Sequence, residues 1–453
     1  MIPRLLPRVL PALLVTTALV AGLAGTATAA TSAATQPAQL AGHKKPSKKA
    51  HKKAKPAPWV PGDETLFNYP LSPKSADRNR IRNTIISAIK QTPAGAQIRI
   101  TTFTFIDGTA TRALVAAHRR GVSVQMLVNA KNSGLGSYRS LKAGLKKKRK
   151  NTAPPAERSF VKICKASCRG KFGNLHAKLY LFSQVAQTPY VSMISSANLT
   201  TFAANGQWNH LDTLVGPEEY QPLIGVFEQM VLDKPQSFAE LMMPKAQAWV
   251  FPRVGTQAAQ DPLYQAFRHM QCSTTLPDGS TGRSTVRIGM YAWFDDRGKW
   301  LAKAVRQKWN QGCDVEVIYA VMSGPVHAIL EDLTGRGRIP MRRSVTLRAG
   351  EVVDYNHSKY VAFEGPYDGV PSQLVWTGSM NFTQLGLRSD DIVVRLFGAR
   401  VLSAYLANFS RVWNSPSSIR QRPLTTAEKA TMAKAKKAAK AKKAKHKKHK
   451  KHA

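Results

Sequence analysis

The chain has 453 residues, 67 of them Lys or Arg against 26 Asp or Glu, a formal net charge of +41, and 43% hydrophobic residues. Val/Ile/Leu and aromatic runs recur through its middle, which excludes wholesale disorder, and a single long apolar stretch excludes a many-helix membrane protein. The length allows roughly two to four domains.

The start reads as an export signal over residues 1–30. Arg4 and Arg8 flank a short n-region, an apolar run extends from about Val9 to Gly25, and Ala27-Thr28-Ala29 offers a small-residue cleavage site. Residues 31–58 turn Lys-, Pro- and His-rich and cannot bury a core, so they read as a basic linker. Residues 429–453 form a Lys/Ala/His-rich basic tail. Nine Lys or Arg in residues 1–58 and twelve Lys in residues 429–453 have no acid among them, which leaves a body of +20. Such a body favours an anionic partner: nucleic acid, an anionic membrane or a cell-wall polymer. The chain is expected to be secreted and retained at the cell surface by its basic tails.

The body repeats itself. An alternating run at Ile98–Ile106 leads into a helix pattern through Leu114 and His118, then Gly121 and a strand at Val122–Val128. The same order returns at Val286–Phe294, Leu301–Trp309, Gly312 and Val315–Tyr319, with Asp107 and Asp295 after the first strand of each copy. Strands alternating with helices predict α/β layers, with halves at 65–250 and 255–425 joined through the Pro-containing stretch from Gly216 to Pro262.

Each copy then carries two polar segments. His176-x-Lys178 is followed by Ser196-x-Asn198, and His357-x-Lys359 by Ser379-x-Asn381. In an extended backbone, residues i and i+2 share a face, so each His projects beside its Lys. An imidazole beside an ammonium suits a phosphate: one attacks or donates a proton, the other holds non-bridging oxygens. One His-x-Lys is weak evidence, because a lone strand histidine is more often structural; two copies with equal followers point to chemistry.

On these motifs the chain resembles the phospholipase D superfamily, whose signature is His-x-Lys-x4-Asp followed by Gly-Ser-x-Asn, present twice. The resemblance covers roughly residues 65–425. It implies two homologous α/β halves, each a mixed sheet flanked by helices, sharing one interfacial active site. It also implies metal-independent phosphodiester cleavage with no cofactor: one histidine forms a phosphohistidine and the other serves as acid and base. By the same resemblance His176 is the nucleophile and His357 the acid/base. Lys178, Lys359, Asn198 and Asn381 bind the phosphoryl oxygens, with Ser196 and Ser379 assisting. Histidine-orienting candidates are Asp390 or Asp391 in the second copy and Asn209 or Asp212 in the first. The sequence departs from the signature at Ser183 and Glu364, where the family has Asp, and at Ser195, where it has Gly; Gly378 keeps it.

Four cysteines fit an exported protein. Cys164 and Cys168 are close enough to bridge locally and Cys272 can reach Cys313, while a zinc site is the weaker reading because no finger-like spacing occurs. The basic run Lys146–Lys150 reads as a guide for a polyanion or as a solvated loop. Trp208, Trp293 and Trp376 suit core packing more than stacking on a ligand, and Gly134-Leu135-Gly136 is too short for a nucleotide loop. Three functions compete: a secreted phospholipase D, a secreted nuclease of the same superfamily, and a non-catalytic polyanion or wall-binding protein. Both motifs in one chain predict a monomer. Export and duplication place the phospholipase first.

Overall fold

In the computed structural model, residues 59–146, 154, 157–276, 278–422 and 426 are described. The expected signal, the linker, Lys147–Lys150 and the tail lie outside the described residues. The first half is built from β1 (Glu64–Phe67), α1 (Arg80–Gln91), β2 (Gln97–Thr102), α2 (Gly108–Arg120), β3 (Ser123–Asn129), α3 (Gly136–Lys146), β4 (Phe160–Cys164), β5 (Leu179–Val185), β6 (Thr188–Ser195), β7 (His210–Val215) and α4 (Pro217–Leu232). The second comprises β8 (Ala239–Met242), β9 (Ala246–Val250), β10 (Thr285–Trp293), α5 (Asp295–Gln311), β11 (Asp314–Met322), β12 (Met341–Arg348), β13 (Glu351–Asn356), β14 (Lys359–Tyr367), β15 (Val370–Gly378), β16 (Ile392–Phe397) and α6 (Ala399–Trp413).

The two sheets repeat one topology. The first runs β1-β7-β6-β5-β2-β3-β4, and the second contains β9-β16-β15-β14-β10-β11-β12 in the corresponding order. In both, the two steps beyond the β2 or β10 strand are parallel and the remaining steps antiparallel. Strands β8 and β9, placed with the first half by sequence, instead join the second sheet through β9 and β16. The reason is local: α4 ends at Leu232 and the chain has already left the first sheet.

Both faces of each sheet are covered, so the central strands are apolar throughout rather than alternating. Tyr180 and Phe182 of β5 pack with Ile85, Ile89 and Leu114 on one face. Their neighbours Leu179 and Leu181 pack on the other with Leu223 and Phe227 of α4 and with Val250 and Ile392 of the second half. This shared core makes the halves one body. In β14, Val361 and Phe363 face Leu301 and Val305, while Tyr360 and Ala362 face Leu402, Tyr405 and Phe409 of α6. Trp208, Trp293 and Trp376 are buried packing residues.

Local rules explain the repeated helix. Asp107 caps α2 by accepting from the Thr109 and Ala110 amides, and Arg82 grips the same carboxylate. Gly121 and Gly312 end α2 and α5 in the left-handed conformation, at φ 106° and 112°. Disulfides Cys164–Cys168 and Cys272–Cys313 form, which fits an oxidising compartment. No helix among the described residues is long and apolar enough to cross a membrane.

Candidate active site

Each His-x-Lys lies where one half grips the other. His176 and Lys178 sit in extended backbone just before β5, and the amides of His176 and Ala177 both donate to the Asp390 carbonyl at 3.0 and 2.7 Å. The Asp390 amide returns a bond to the Asn174 carbonyl at 2.8 Å. On the other side, Tyr355 and Asn356 pair in parallel with Gln207 and Trp208, and the His357 amide donates to the Trp208 carbonyl at 2.9 Å. The segment that follows the second motif of each half thus holds the histidine of the other.

The side chains cross in the same way. His176 donates from Nδ1 to Asp391 Oδ1 at 2.8 Å, and Ser379 Oγ donates to that same oxygen at 2.6 Å. His357 donates from Nδ1 to Asn209 Oδ1 at 2.9 Å, and Ser196 Oγ donates there at 2.8 Å. Asn209 Nδ2 donates to the Ala203 carbonyl at 3.0 Å, which turns the amide oxygen toward the ring. Fixing a proton on Nδ1 leaves Nε2 of each imidazole with its lone pair. Lys178 and Lys359 each donate Nζ back to the carbonyl of their own motif histidine.

Several expectations are corrected. The orienting residues act across the halves, not within them. Asp390 orients no ring: its carboxylate accepts from Ser167 Oγ and from the amides of Cys168 and Arg169, holding the disulfide loop. Asp212 is engaged by Tyr405 and Thr65, both at 2.8 Å. Ser196 and Ser379 are buried, and their hydroxyls are spent on Asn209 and Asp391 while accepting the His210 and Ile392 amides. They therefore position the orienters instead of meeting a phosphate. Asn198 and Asn381 are partly exposed; Asn198 Oδ1 accepts the Thr104 amide at 3.2 Å, and Asn381 Oδ1 is buried without a partner among the described residues.

The departures from the signature lie away from this cluster. Ser183 and Glu364 sit five residues past their lysines, about 17 Å along an extended strand. Ser183 Oγ accepts the Gln97 amide at 2.8 Å, and Glu364 accepts from Gln373 at 3.1 Å. Ser195 Oγ donates to the His210 carbonyl.

Two aromatic walls escaped the sequence reading. Phe103 meets His176 edge-on with ring centroids 5.2 Å apart, and Tyr291 lies 4.9 Å from His357. Lys178 Nζ is 5.7 Å from the Phe103 centroid and Lys359 Nζ 5.0 Å from that of Tyr291. Both aromatics stand four residues before the aspartate that follows the repeated strand, a signal present in the sequence. Tyr355 adds a second ring 5.9 Å from His357.

Burial and mutual repulsion disfavour the cationic forms of the His and Lys side chains in the cluster. Burial and the Lys178 charge pull His176 down to about 4, with Asp391 opposing them. His357 is pushed well below the usual imidazole range by burial and by Lys359, Lys178 and His176. Burial brings Lys178 to about 7 and holds Lys359 well below an ordinary lysine. Burial would raise Asp391, but His176 and Lys178 hold it below the ordinary carboxylate range. Lys359 of the second half acts on His176, and Lys178 and His176 of the first half act on His357, so the two motifs lie close enough to perturb one another.

The sequence matches the family described as "Cardiolipin synthase, PLD-like domain" over residues 85–231 and 280–413. No curated protein matches the chain. Among solved structures, phosphatidylserine synthase of Haemophilus influenzae Rd KW20 is similar at TM-score 0.51 and 12% identity, over 84% of this chain and 94% of that one. Polyphosphate kinase of Porphyromonas gingivalis gives TM-score 0.50 and 12% identity over 83% of this chain, which spans only 55% of the kinase. At such identities these likenesses concern the fold. The family match covers more than half of the sequence, once in each half: the chain belongs to the phospholipase D superfamily.

Proposed function

We propose that the protein is a secreted phospholipase D-type phosphodiesterase that hydrolyses a phospholipid headgroup ester through a phosphohistidine. The observation that carries this reading is the unequal pair of orienters, Asp391 on His176 and Asn209 on His357. A carboxylate increases the electron density at Nε2 and stabilises the positive ring of a phosphorylated imidazole; an amide does neither as strongly, and leaves a better proton donor. His176 is therefore the nucleophile and His357 the acid.

His176 Nε2 attacks phosphorus while the bond to the headgroup oxygen breaks. His357, which takes up a proton as the anionic diester enters, passes it from Nε2 to that oxygen. His357 then removes a proton from water, the water oxygen displaces His176 from phosphorus, and phosphatidic acid leaves. Lys178 and Lys359 hold the non-bridging oxygens, joined by the amide groups of Asn198 and Asn381.

Exposed apolar side chains support a lipid substrate. Phe202 is 43% exposed with its ring 6.0 Å from that of Tyr355, while Phe172 and Leu385, 61% and 52% exposed, belong to the segments that meet beside His176. The +20 body supports the second reading, a nuclease of the same superfamily. The basic tails would retain the exported protein at an anionic surface. Incubating the mature protein without divalent metal against phosphatidylcholine vesicles, cardiolipin, plasmid DNA and RNA tests this, with His176→Ala as control. Headgroup release that the variant lacks is expected; nucleic-acid cutting without lipid turnover overturns the assignment.

A further inference from the structure

The short helix after each Ser-x-Asn motif turns one large apolar side chain to solvent, at the same position in both halves. Six residues on from Ser196 stands Phe202, and six on from Ser379 stands Leu385. The helices begin alike: Thr200 caps Thr201–Asn205 by accepting the Ala203 amide, and Thr383 caps Gln384–Arg388 by accepting the Gly386 amide. Phe202 is 43% exposed and Leu385 52%. Each has an exposed apolar neighbour. Ile106 pairs with Thr200, and Phe172 precedes Gly173, which lies against the Arg388 backbone. Each also has a guanidinium beside it. Arg388 ends the helix of Leu385, and Arg78 donates from Nε to Asn205, the equivalent last residue of the other helix, at 3.2 Å.

Reciprocal contacts relate the halves. Each holds the other's histidine, through its backbone and then through Asp391 or Asn209. Contacts of that kind define a two-fold axis, and it passes between His176 and His357. Equivalent residues stand at equal height on opposite sides of such an axis. Phe202 reaches the site through Tyr355, whose ring lies 6.0 Å from that of Phe202 and 5.9 Å from that of His357. Leu385 reaches it through Ser389 Oγ, which donates to the Leu385 carbonyl at 2.9 Å and accepts the Asn174 amide at 3.1 Å, two residues before His176. A flat surface touching both side chains therefore spans the axis beside the histidines. A bilayer has that shape, with an apolar layer for the tips and anionic phosphates for Arg78 and Arg388. A nucleic acid strand fits less well, because Leu385 offers no ring on which a base can stack.

We infer that Phe202 and Leu385, with Ile106 and Phe172 beside them, insert into a lipid bilayer and set the two-fold axis of the halves along the membrane normal. The inference rests on the phospholipase reading and adds the face by which the protein meets its substrate. In this orientation the line from His176 to His357 runs parallel to the membrane. The two rings then approach a lipid phosphate from opposite sides, as in-line displacement requires.

The test is co-sedimentation of the full chain with vesicles of phosphatidylcholine and phosphatidylglycerol. His176→Ala serves as the parent, so that the lipid is not consumed. At about 1 M salt, where the screening length is roughly 3 Å, apolar insertion is read apart from attraction by the basic tails. Adding Phe202→Ser/Leu385→Ser to the parent is expected to lower vesicle partitioning at least about tenfold. Phe202→Trp/Leu385→Trp keeps the apolar bulk and is expected to partition at least as tightly as the parent. Val370→Ser is the control: Val370 is 63% exposed but lies at the other end of β15 from Ser379, and its loss should change partitioning by less than about twofold. With His176 restored, the Ser double variant should retain turnover of soluble bis(4-nitrophenyl) phosphate and lose vesicle turnover through KM. No vesicle binding by the parent, unchanged partitioning of the Ser double variant, or an equal loss in Val370→Ser overturns the inference. Where vesicle hydrolysis persists in spite of such a result, the phospholipase reading stands without this docking face. A loss of plasmid DNA retention with vesicle binding intact assigns the rim to nucleic acid and likewise overturns it.

Discussion

Asp391 and His176 come from opposite halves of the chain, 215 residues apart, and meet through a 2.8 Å hydrogen bond from the imidazole Nδ1. The mirror-image contact uses an amide, Asn209, on His357. Replacing Asp391 by Asn makes the two rings alike. That substitution is expected to lower kcat at least on the order of 10–100-fold, the range for loss of a carboxylate partner from a metal-bound histidine. Because Asn keeps the bond and the tautomer, the loss measures the carboxylate charge. Trapping of a phosphorylated protein after a denaturing alkaline quench, in which the P–N bond of a phosphohistidine persists, should fall with kcat; an unchanged yield and rate would remove His176 from the nucleophilic role.

The pH dependence follows from the same cations. His176 must be neutral to attack, and it loses its proton near pH 4. Lys178 must be charged to hold the phosphate, and it is brought down to about 7 in the empty site, with Lys359 also held low. The kcat/KM profile, which reports the free enzyme, is therefore expected to rise through about pH 4 and fall through about pH 7. Lys178→Arg keeps its charge far above that range, so its profile should lose part of the alkaline fall whatever its absolute rate. A wild-type profile flat from pH 6 to 9 contradicts the assignment.

The duplicated motifs carried most of this architecture in the sequence. Two strands of matching pattern, each followed by Asp107 or Asp295, mark equivalent sheets, and the His-x-Lys and Ser-x-Asn pairs mark the site. What sequence could not assign was partnership across the halves. Asp390 and Asp391 are neighbours with the same chemistry, yet adjacent residues in an extended backbone point to opposite sides, one to the disulfide loop and the other to His176. Asp212 and Asn209 differ for the same reason. Ser196 and Ser379 looked like phosphate ligands because the motif places them beside the asparagines; only the fold shows their hydroxyls turned inward onto the orienters.

The contact that joins the halves depends on Gly173. Its φ is +81°, and a Cβ there would stand 2.1 Å from the Arg388 carbonyl oxygen, a backbone atom that cannot swing away. Gly173→Ala is therefore expected to cost roughly 1–3 kcal/mol in denaturant unfolding and to reduce turnover, since Asn174 to Ala177 hang on the neighbouring Asp390 backbone. Gly134→Ala serves as the control: its Cβ meets nothing, and the change should stay within about 0.5 kcal/mol. Equal stability of the two variants would mean that the halves do not close as tightly at this point.

The disulfides separate stability from activity. Cys272 and Cys313 are 41 residues apart, and opening that loop is expected to cost roughly 4 kcal/mol by the chain-entropy relation; the four-residue separation of Cys164 and Cys168 gives about 2 kcal/mol. Activity should follow the reverse order. The amide of Cys168 and its neighbours Ser167 and Arg169 hold the Asp390 carboxylate, and the Asp390 backbone in turn holds His176. Loosening the short loop therefore frees the segment that sets Asp391 against the nucleophile, whereas the Cys272–Cys313 bridge ties α5 and β11 to the chain ahead of β10 on the far side of the second core. Cys164→Ala/Cys168→Ala should thus unfold at a higher denaturant concentration than Cys272→Ala/Cys313→Ala yet lose more kcat, measured at a temperature where both variants remain folded. A larger kcat loss in the long-loop variant would show that the grip on Asp390 does not depend on the short bridge.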